Sequence, residues 1–195
     1  MPDSLSQLPT LAPAETAADR LPGDPTRRDL VERFIRVDHA GEYGAVRIYE
    51  GQLAVLGRGP KAPILRHMKE QEEHHVATFS KLVARRRVRP TALLPLWHVA
   101  GFALGAVTAA MGERAAMACT VAVEEAIDEH YASQHARLGE DEAELRGTIE
   151  RFREEELEHR DIGLEHEAEL APAYKLLSAA IKAGCKVAIA VSERV

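Results

Sequence analysis

Two tetrapeptides, Glu72-Glu73-His74-His75 and Glu156-Leu157-Glu158-His159, each set a glutamate three residues ahead of a histidine inside a stretch of helical pattern. Residues three apart on a helix project to nearly the same side, so each pair presents a carboxylate and an imidazole together. Two further glutamates, Glu42 and Glu124, precede the leading glutamate of each pair by 30 and 32 residues. The chain therefore runs Glu, Glu-x-x-His twice over, the ligand pattern of a helical bundle built around two metal ions. The near-equal offsets imply two pseudo-repeated helical pairs, whose antiparallel packing brings all six ligands to mid-bundle. Four carboxylates and two imidazoles are a donor set suited to iron or manganese.

Apolar periodicity puts these residues where a core belongs. A helix over Asp29–Leu56 carries Val31, Ile35, Asp38, Glu42, Ala45, Tyr49 and Leu53 at three- and four-residue steps, and one over Ala62–Arg86 carries Leu65, Met68, Glu72, His75, Phe79 and Leu82. Later helices are expected over Glu113–Leu138, with Met117, Thr120, Glu124, Ile127 and Tyr131 inward, and over Glu142–Gly163, with Leu145, Ile149, Phe152, Glu156, His159 and Ile162 inward. A last helix covers Tyr174–Val191. One Glu-x-x-His is common on a solvated face, but two copies in apolar seams are not, because a buried carboxylate demands a proton or a cation. Glu73, Glu125, Glu155 and Glu158 fall off the seams and are expected in solvent, with Glu125 replacing Glu124 if the register slips by one.

The 195 residues suit a single domain from residue 30 to residue 195, preceded by a flexible tail over residues 1–29 that lacks the apolar core of a secretory signal. A net charge of -6 gives no field for attracting nucleic acid, so nucleic-acid partners are excluded. Two cysteines, Cys119 and Cys185, among small apolar residues, are expected as buried thiols. From His74 to Gly112 there is no Asp or Glu, while Lys81, Arg85, Arg86, Arg87 and Arg89 gather there as a candidate contact with an anionic surface. The apolar run Thr91–Gly112 would span about 33 Å as helix. Its glycines, alanines and threonines favour a helix packed in the protein or half-immersed at an interface over a membrane span. Gly101 and Gly105, four apart, allow close helix contact.

Asp38 and Asp128, one turn from Glu42 and Glu124, are candidates to orient the outer nitrogens of the ligand histidines. The remaining histidines, 39, 67, 74, 98, 130, 135 and 166, are expected to be surface or hydrogen-bonded. A di-iron site stores two electrons, which is compatible with hydroxylation, desaturation, radical generation or iron oxidation and storage. The apolar segment beside a basic cluster suits a hydrophobic substrate drawn from a membrane surface.

The longer strings around these residues resemble one known family. Arg36 to Ala45 (RVDHAGEYGA), Ala122 to Ala126 (AVEEA), Glu154 to His159 (EEELEH) and the segments 161–164 (DIGL) and 168–174 (AELAPAY) are similar to the demethoxyubiquinone hydroxylases of ubiquinone biosynthesis. These are ferritin-like di-iron carboxylate proteins, and the resemblance spans residues 30 to 195. It implies an all-α, ferritin-like four-helix bundle with additional apolar helices.

The resemblance assigns the two Fe ions to Glu42, Glu72, His75, Glu124, Glu156 and His159, the residues that the seams select, with His75 rather than His74 as the ligand. It matches His130 and Tyr131 to a His-Tyr pair associated with electron or proton delivery. The implied reaction is O₂-dependent hydroxylation of the ring of a polyprenylated methoxy-methyl-benzoquinol, the other oxygen atom leaving as water. No dinucleotide-binding glycine fingerprint is present, and the resemblance implies electrons from NADH or from the quinol itself. The implied location is peripheral, on the cytoplasmic side of the cell membrane or, in a eukaryote, on the mitochondrial inner membrane. A lipid-binding accessory protein of ubiquinone synthesis is a further expected partner.

Overall fold

The computed structural model describes residues 23–195, so most of the tail expected over residues 1–29 lies outside the described residues. Six α-helices and two short 3-10 turns make up the regular structure among the described residues. The helices are α1 (Arg27–Leu56), α2 (Ala62–Arg86), α3 (Leu94–Ala110), α4 (Glu113–His135), α5 (Ala143–Glu165) and α6 (Tyr174–Ser192).

The chain becomes helical earlier than the apolar pattern alone indicates, because Thr26 caps α1. Its hydroxyl accepts from the Asp29 backbone N–H at 3.0 Å, while the Asp29 carboxylate accepts from the Thr26 N–H at 2.8 Å. Arg27 then pairs with Asp141 at 2.9 Å, tying the start of α1 to the turn after α4. Arg87 ends α2 in the left-handed conformation (φ 55°). The fourth helix stops at His135 instead of Leu138, and residues 140–142 form a 3-10 turn before α5.

Helices α1, α2, α4 and α5 make an all-α, ferritin-like bundle, with α1 antiparallel to α2 and α4 antiparallel to α5. Two apolar clusters close its ends. One gathers Phe34, Ile35, Phe79, Leu82, Tyr131, Leu145 and Phe152, and the other Tyr49, Leu65, Met68, Met117 and Val121. Between them lies the seam bearing the six candidate ligands.

The two apolar helices are applied to the bundle from outside. Helix α3 lies along α1, and α6 lies along α4, so the duplicated unit has three helices instead of two. Glycine makes the α1–α3 contact possible: a Cβ at Gly105 would overlap the Ile48 carbonyl oxygen, and one at Gly51 would overlap that of Phe102. Of the placements open to the Thr91–Gly112 run, this one packs it against protein on one side only. Leu96, Val99, Val107 and Met111 stay exposed, as do Leu176 and Val187 of α6. No helix among the described residues is long and apolar enough to cross a membrane. Trp97 of α3 donates from its indole nitrogen to Ser192 of α6 at 3.0 Å, joining the outer helices.

Two of the clustered arginines are neutralised, contrary to the expectation from the acid-free run. Arg85 pairs with Glu144 and Arg86 with Glu142, each at 2.7 Å, because the start of α5 packs beside the end of α2. Lys81, Arg87 and Arg89 remain exposed. Cys119 is buried and Cys185 half-buried, both as free thiols.

Candidate metal centre

Each bundle helix delivers its glutamate to one level between the apolar end clusters. Glu42, Glu72, Glu124, Glu156, His75 and His159 are all at most 1% exposed. His74 is exposed, as its off-seam position requires, and Glu125 is half-buried in an ion pair with Lys182 of α6. The register slip that would exchange Glu125 for Glu124 does not occur.

The ligand atoms fall into two groups that could each hold a metal ion. Glu42, Glu72, His75 and Glu156 form one, and Glu72, Glu124, Glu156 and His159 the other, with the donors of each group within 4.8 Å of one another. Glu72 and Glu156 belong to both. Glu156 Oε1 is 3.1 Å from His75 Nδ1 while its Oε2 is 3.2 Å from His159 Nδ1. Glu72 mirrors this, with Oε1 3.2 Å from His159 Nδ1 and Oε2 3.7 Å from His75 Nδ1. Each Glu-x-x-His glutamate thus serves both groups, whereas helical spacing alone pairs it only with its own histidine.

Chemically, the pocket is fitted to cations. Both oxygens of Glu72 and of Glu156, Glu124 Oε2 and His159 Nδ1 are buried with no hydrogen-bond partner among the described residues. Left so, they would carry a large desolvation penalty. Protons offset part of it when no metal is present. Burial and the neighbouring Glu156 and Glu72 push the Glu124 carboxyl well above its usual range. Burial works against charging His159, but the Glu156 and Glu72 carboxylates 3.2 Å from its Nδ1 outweigh it and push the imidazole up to about 11. His75 is raised in the same way by Glu156, Glu42 and Glu72 against its own burial. Two divalent ions would replace those protons, and shared carboxylates would screen their mutual repulsion.

The outer nitrogens are not held by Asp38 or Asp128. His75 Nε2 lies 2.6 Å from Glu155 Oε2, and His159 Nε2 lies 2.9 Å from Gln71 Oε1. With Nε2–H donating outward, Nδ1 would supply the inward lone pair of both rings once a cation displaces its proton. Each orienting residue immediately precedes the glutamate of the opposite pair, a relation that needs the two helices in register to become visible. Glu155, expected in solvent, is half-buried for this reason. Asp128 instead pairs with Arg153 at 2.6 Å. Asp38 accepts from Gln134 Nε2 at 2.7 Å and lies 3.5 Å from His130 Nε2.

Tyr131 donates its hydroxyl to Glu42 Oε1, and His130, on the same turn, touches Asp38 and Gln134. A residue given no site role from sequence does the same at the opposite end: Tyr49 donates to Glu124 Oε1 at 2.9 Å. The signal was present, because Tyr49 follows Glu42 by the same seven residues as Tyr131 follows Glu124. The antiparallel run of α1 and α4 crosses the contacts. Burial and the adjacent glutamates, Glu124 for Tyr49 and Glu42 for Tyr131, raise both phenols well above their usual range, so both stay protonated donors.

Beside the site, between α1, α2 and the start of α3, lies a cavity of about 540 Å³ lined by His39, Tyr43, Val76, Ser80, Leu94, Pro95 and His98. Tyr43 and Val76 directly follow Glu42 and His75 in the chain. His39 contacts Ser80 at 3.2 Å, and Tyr43 contacts His98 at 2.6 Å.

Known proteins resemble the chain over nearly all of the described fold. The family model described as Ubiquinone biosynthesis protein COQ7 matches residues 29–192. A 3-demethoxyubiquinol 3-hydroxylase of Rhodospirillum rubrum is 67% identical, over 93% of this chain and 86% of its own. The human mitochondrial protein, named as an NADPH-dependent 3-demethoxyubiquinone 3-hydroxylase, is 57% identical over 88% of this chain and 81% of its own. The mitochondrial 5-demethoxyubiquinone hydroxylase of Saccharomyces cerevisiae is 43% identical over 85% of this chain and 78% of its own. With its helices, its doubled ligand set and these similarities in agreement, the chain belongs to the COQ7 family of ubiquinone biosynthesis.

Proposed function

We propose that this protein is a 3-demethoxyubiquinol 3-hydroxylase, which adds one oxygen atom of O₂ to the ring of a polyprenylated methoxy-methyl-benzoquinol. The observation that carries the reading is the pair of buried donor groups sharing Glu72 and Glu156, in a chain 67% identical to an enzyme of that name. Glu42 and His75 would hold one iron and Glu124 and His159 the other, with Glu72 and Glu156 available to both. Bound iron supplies the activation of O₂.

The chain's own groups do the rest. The apolar clusters around Phe79 and Phe152 on one side, and Leu65 and Met68 on the other, keep bulk water from the metal level. His130, 13% exposed at its side chain, links the surface to Asp38 and Gln134, while Tyr131 beside it reaches Glu42. These two residues, adjacent in the chain, mark the route for proton or electron delivery. The cavity beside Tyr43 and Val76 receives the quinol ring, whose oxygens meet the polar edges of His39, Ser80 and His98.

The reductant is a reduced nicotinamide: the resemblance alone implied NADH or the quinol itself, and the names of mitochondrial relatives such as the human protein favour NADPH. The exposed apolar residues of α3 and α6 rest on a membrane surface, from which a polyprenyl substrate is taken, and serve as the dock for a lipid-binding accessory protein. Lys81, Arg87 and Arg89 face its anionic headgroups, on the cytoplasmic side of a bacterial membrane or, in a eukaryote, on the mitochondrial inner membrane.

Incubation of the iron-loaded protein with a short-chain demethoxyquinone, NADPH and ¹⁸O₂ tests the function. A quinol heavier by one labelled oxygen is expected. Progressive iron uptake with no labelled quinol would replace the hydroxylase with an iron store or oxidase, and quinone binding without turnover would replace it with a carrier.

A further inference from the structure

The four site carboxylates differ in how many oxygens the protein leaves free. Glu72 and Glu156 have both oxygens buried and unpartnered among the described residues. Glu124 has one such oxygen, Oε2, because Oε1 accepts the Tyr49 hydroxyl at 2.9 Å. At the other end Glu42 Oε1 accepts the Tyr131 hydroxyl, leaving Oε2 directed at His75 Nδ1 at 3.3 Å. Both oxygens are free where a carboxylate must reach two ions, and one is tied where it must reach a single ion.

We propose that Tyr49 is a positioning residue that ties up one oxygen of Glu124, so that this glutamate binds its ion through Oε2 alone and leaves a coordination position open for an external ligand. The inference rests on the metal-pair reading above. Tyr49 is fixed for the task from three sides. It is 2% exposed, its hydroxyl lies 3.7 Å from Met68 Sδ, and its ring meets His159 edge-on with centroids 6.2 Å apart. The phenol therefore touches both residues that belong to one metal group alone, Glu124 and His159. Tyr131 bears the same relation to Glu42. Without the phenol, Glu124 Oε1 would be a buried, unpartnered carboxylate oxygen beside a cation, and chelation through both oxygens would satisfy it.

The test is Tyr49→Phe, which removes the hydroxyl and keeps the ring. Nitric oxide is titrated anaerobically into the protein loaded with ferrous iron, and the Mössbauer spectrum is recorded beforehand. Wild type is expected to retain two irons per chain and take up about two nitric oxide molecules, one at each open position. The variant should retain both irons, show a changed quadrupole doublet for half of the iron, and take up about one nitric oxide. Unchanged spectra and uptake, or outright loss of that iron, would overturn the proposal. Tyr131→Phe applies the same titration to the Glu42 end, so the rule stays testable should Tyr49→Phe fail to fold. A wild-type protein that holds fewer than two irons would instead overturn the metal-pair reading.

Discussion

Gln71 Oε1 sits 2.9 Å from the outer nitrogen of His159, whereas the equivalent place behind His75 belongs to a carboxylate, Glu155, at 2.6 Å. The ends of an otherwise pseudo-symmetric site are thus unequal. A carboxylate partner makes an imidazole a stronger donor than an amide partner does.

Replacing Glu155 with Gln should weaken the ion at the His75 end, and Gln71→Leu the ion at the His159 end, each by about 10- to 100-fold. Ferrous iron binding under chelator competition measures this. Equal weakening of both ions by either variant would contradict the one-to-one pairing.

Shared and single-group carboxylates should differ in how much metal they release. Glu156→Ala removes a donor from both groups and should lower iron from about two per chain to near none, while Glu124→Ala should leave about one. Elemental analysis decides it, with circular dichroism as the check that both variants remain helical.

Proton balance makes the stability of the metal-free protein fall as pH rises. His159 is raised from 6.5 to about 11, and Glu124 is also raised, so the folded state holds more protons than the unfolded chain. The His159 contribution is complete below its unfolded value of 6.5 and is lost on approach to about 11. Thermal melts of metal-free protein between pH 6.5 and 10 should show a falling midpoint, and iron loading should flatten the dependence. A midpoint rising with pH in the metal-free protein would contradict this.

The contact between α1 and α3 leaves no room at Gly105. Gly105→Leu should force α3 away from α1 at a cost of about 1–3 kcal/mol or more. Trp97, the sole tryptophan, reports it: losing its contact with Ser192 should shift its emission to longer wavelength, and an unshifted spectrum would count against the packing described.

What the sequence disclosed followed from periodicity. Glu42, Glu72, His75, Glu124, Glu156 and His159 occupy positions that apolar residues otherwise hold, so burial and convergence were legible before any coordinates. Relations between helices were not. That Glu72 serves both groups, that Glu155 and Gln71 orient the opposite histidines, and that Glu142 and Glu144 neutralise Arg86 and Arg85 all depend on interhelical register. Asp38 and Asp128 had plausible spacing from the ligands, yet they occupy faces turned toward Gln134 and Arg153. Tyr49 lay in the seam as an ordinary core aromatic, and only its seven-residue echo of Tyr131 hinted otherwise.

The threefold-helix duplication has a mechanical consequence. One donor group takes three residues from the first half and Glu156 from the second, and the other takes three from the second half and Glu72 from the first. Neither half can form a complete pocket alone, so metal ions held there would act as a rivet through the seam between them. Removing them should loosen that seam before it unravels either half, since the chain passes from one half to the other only at the α3–α4 junction around Gly112.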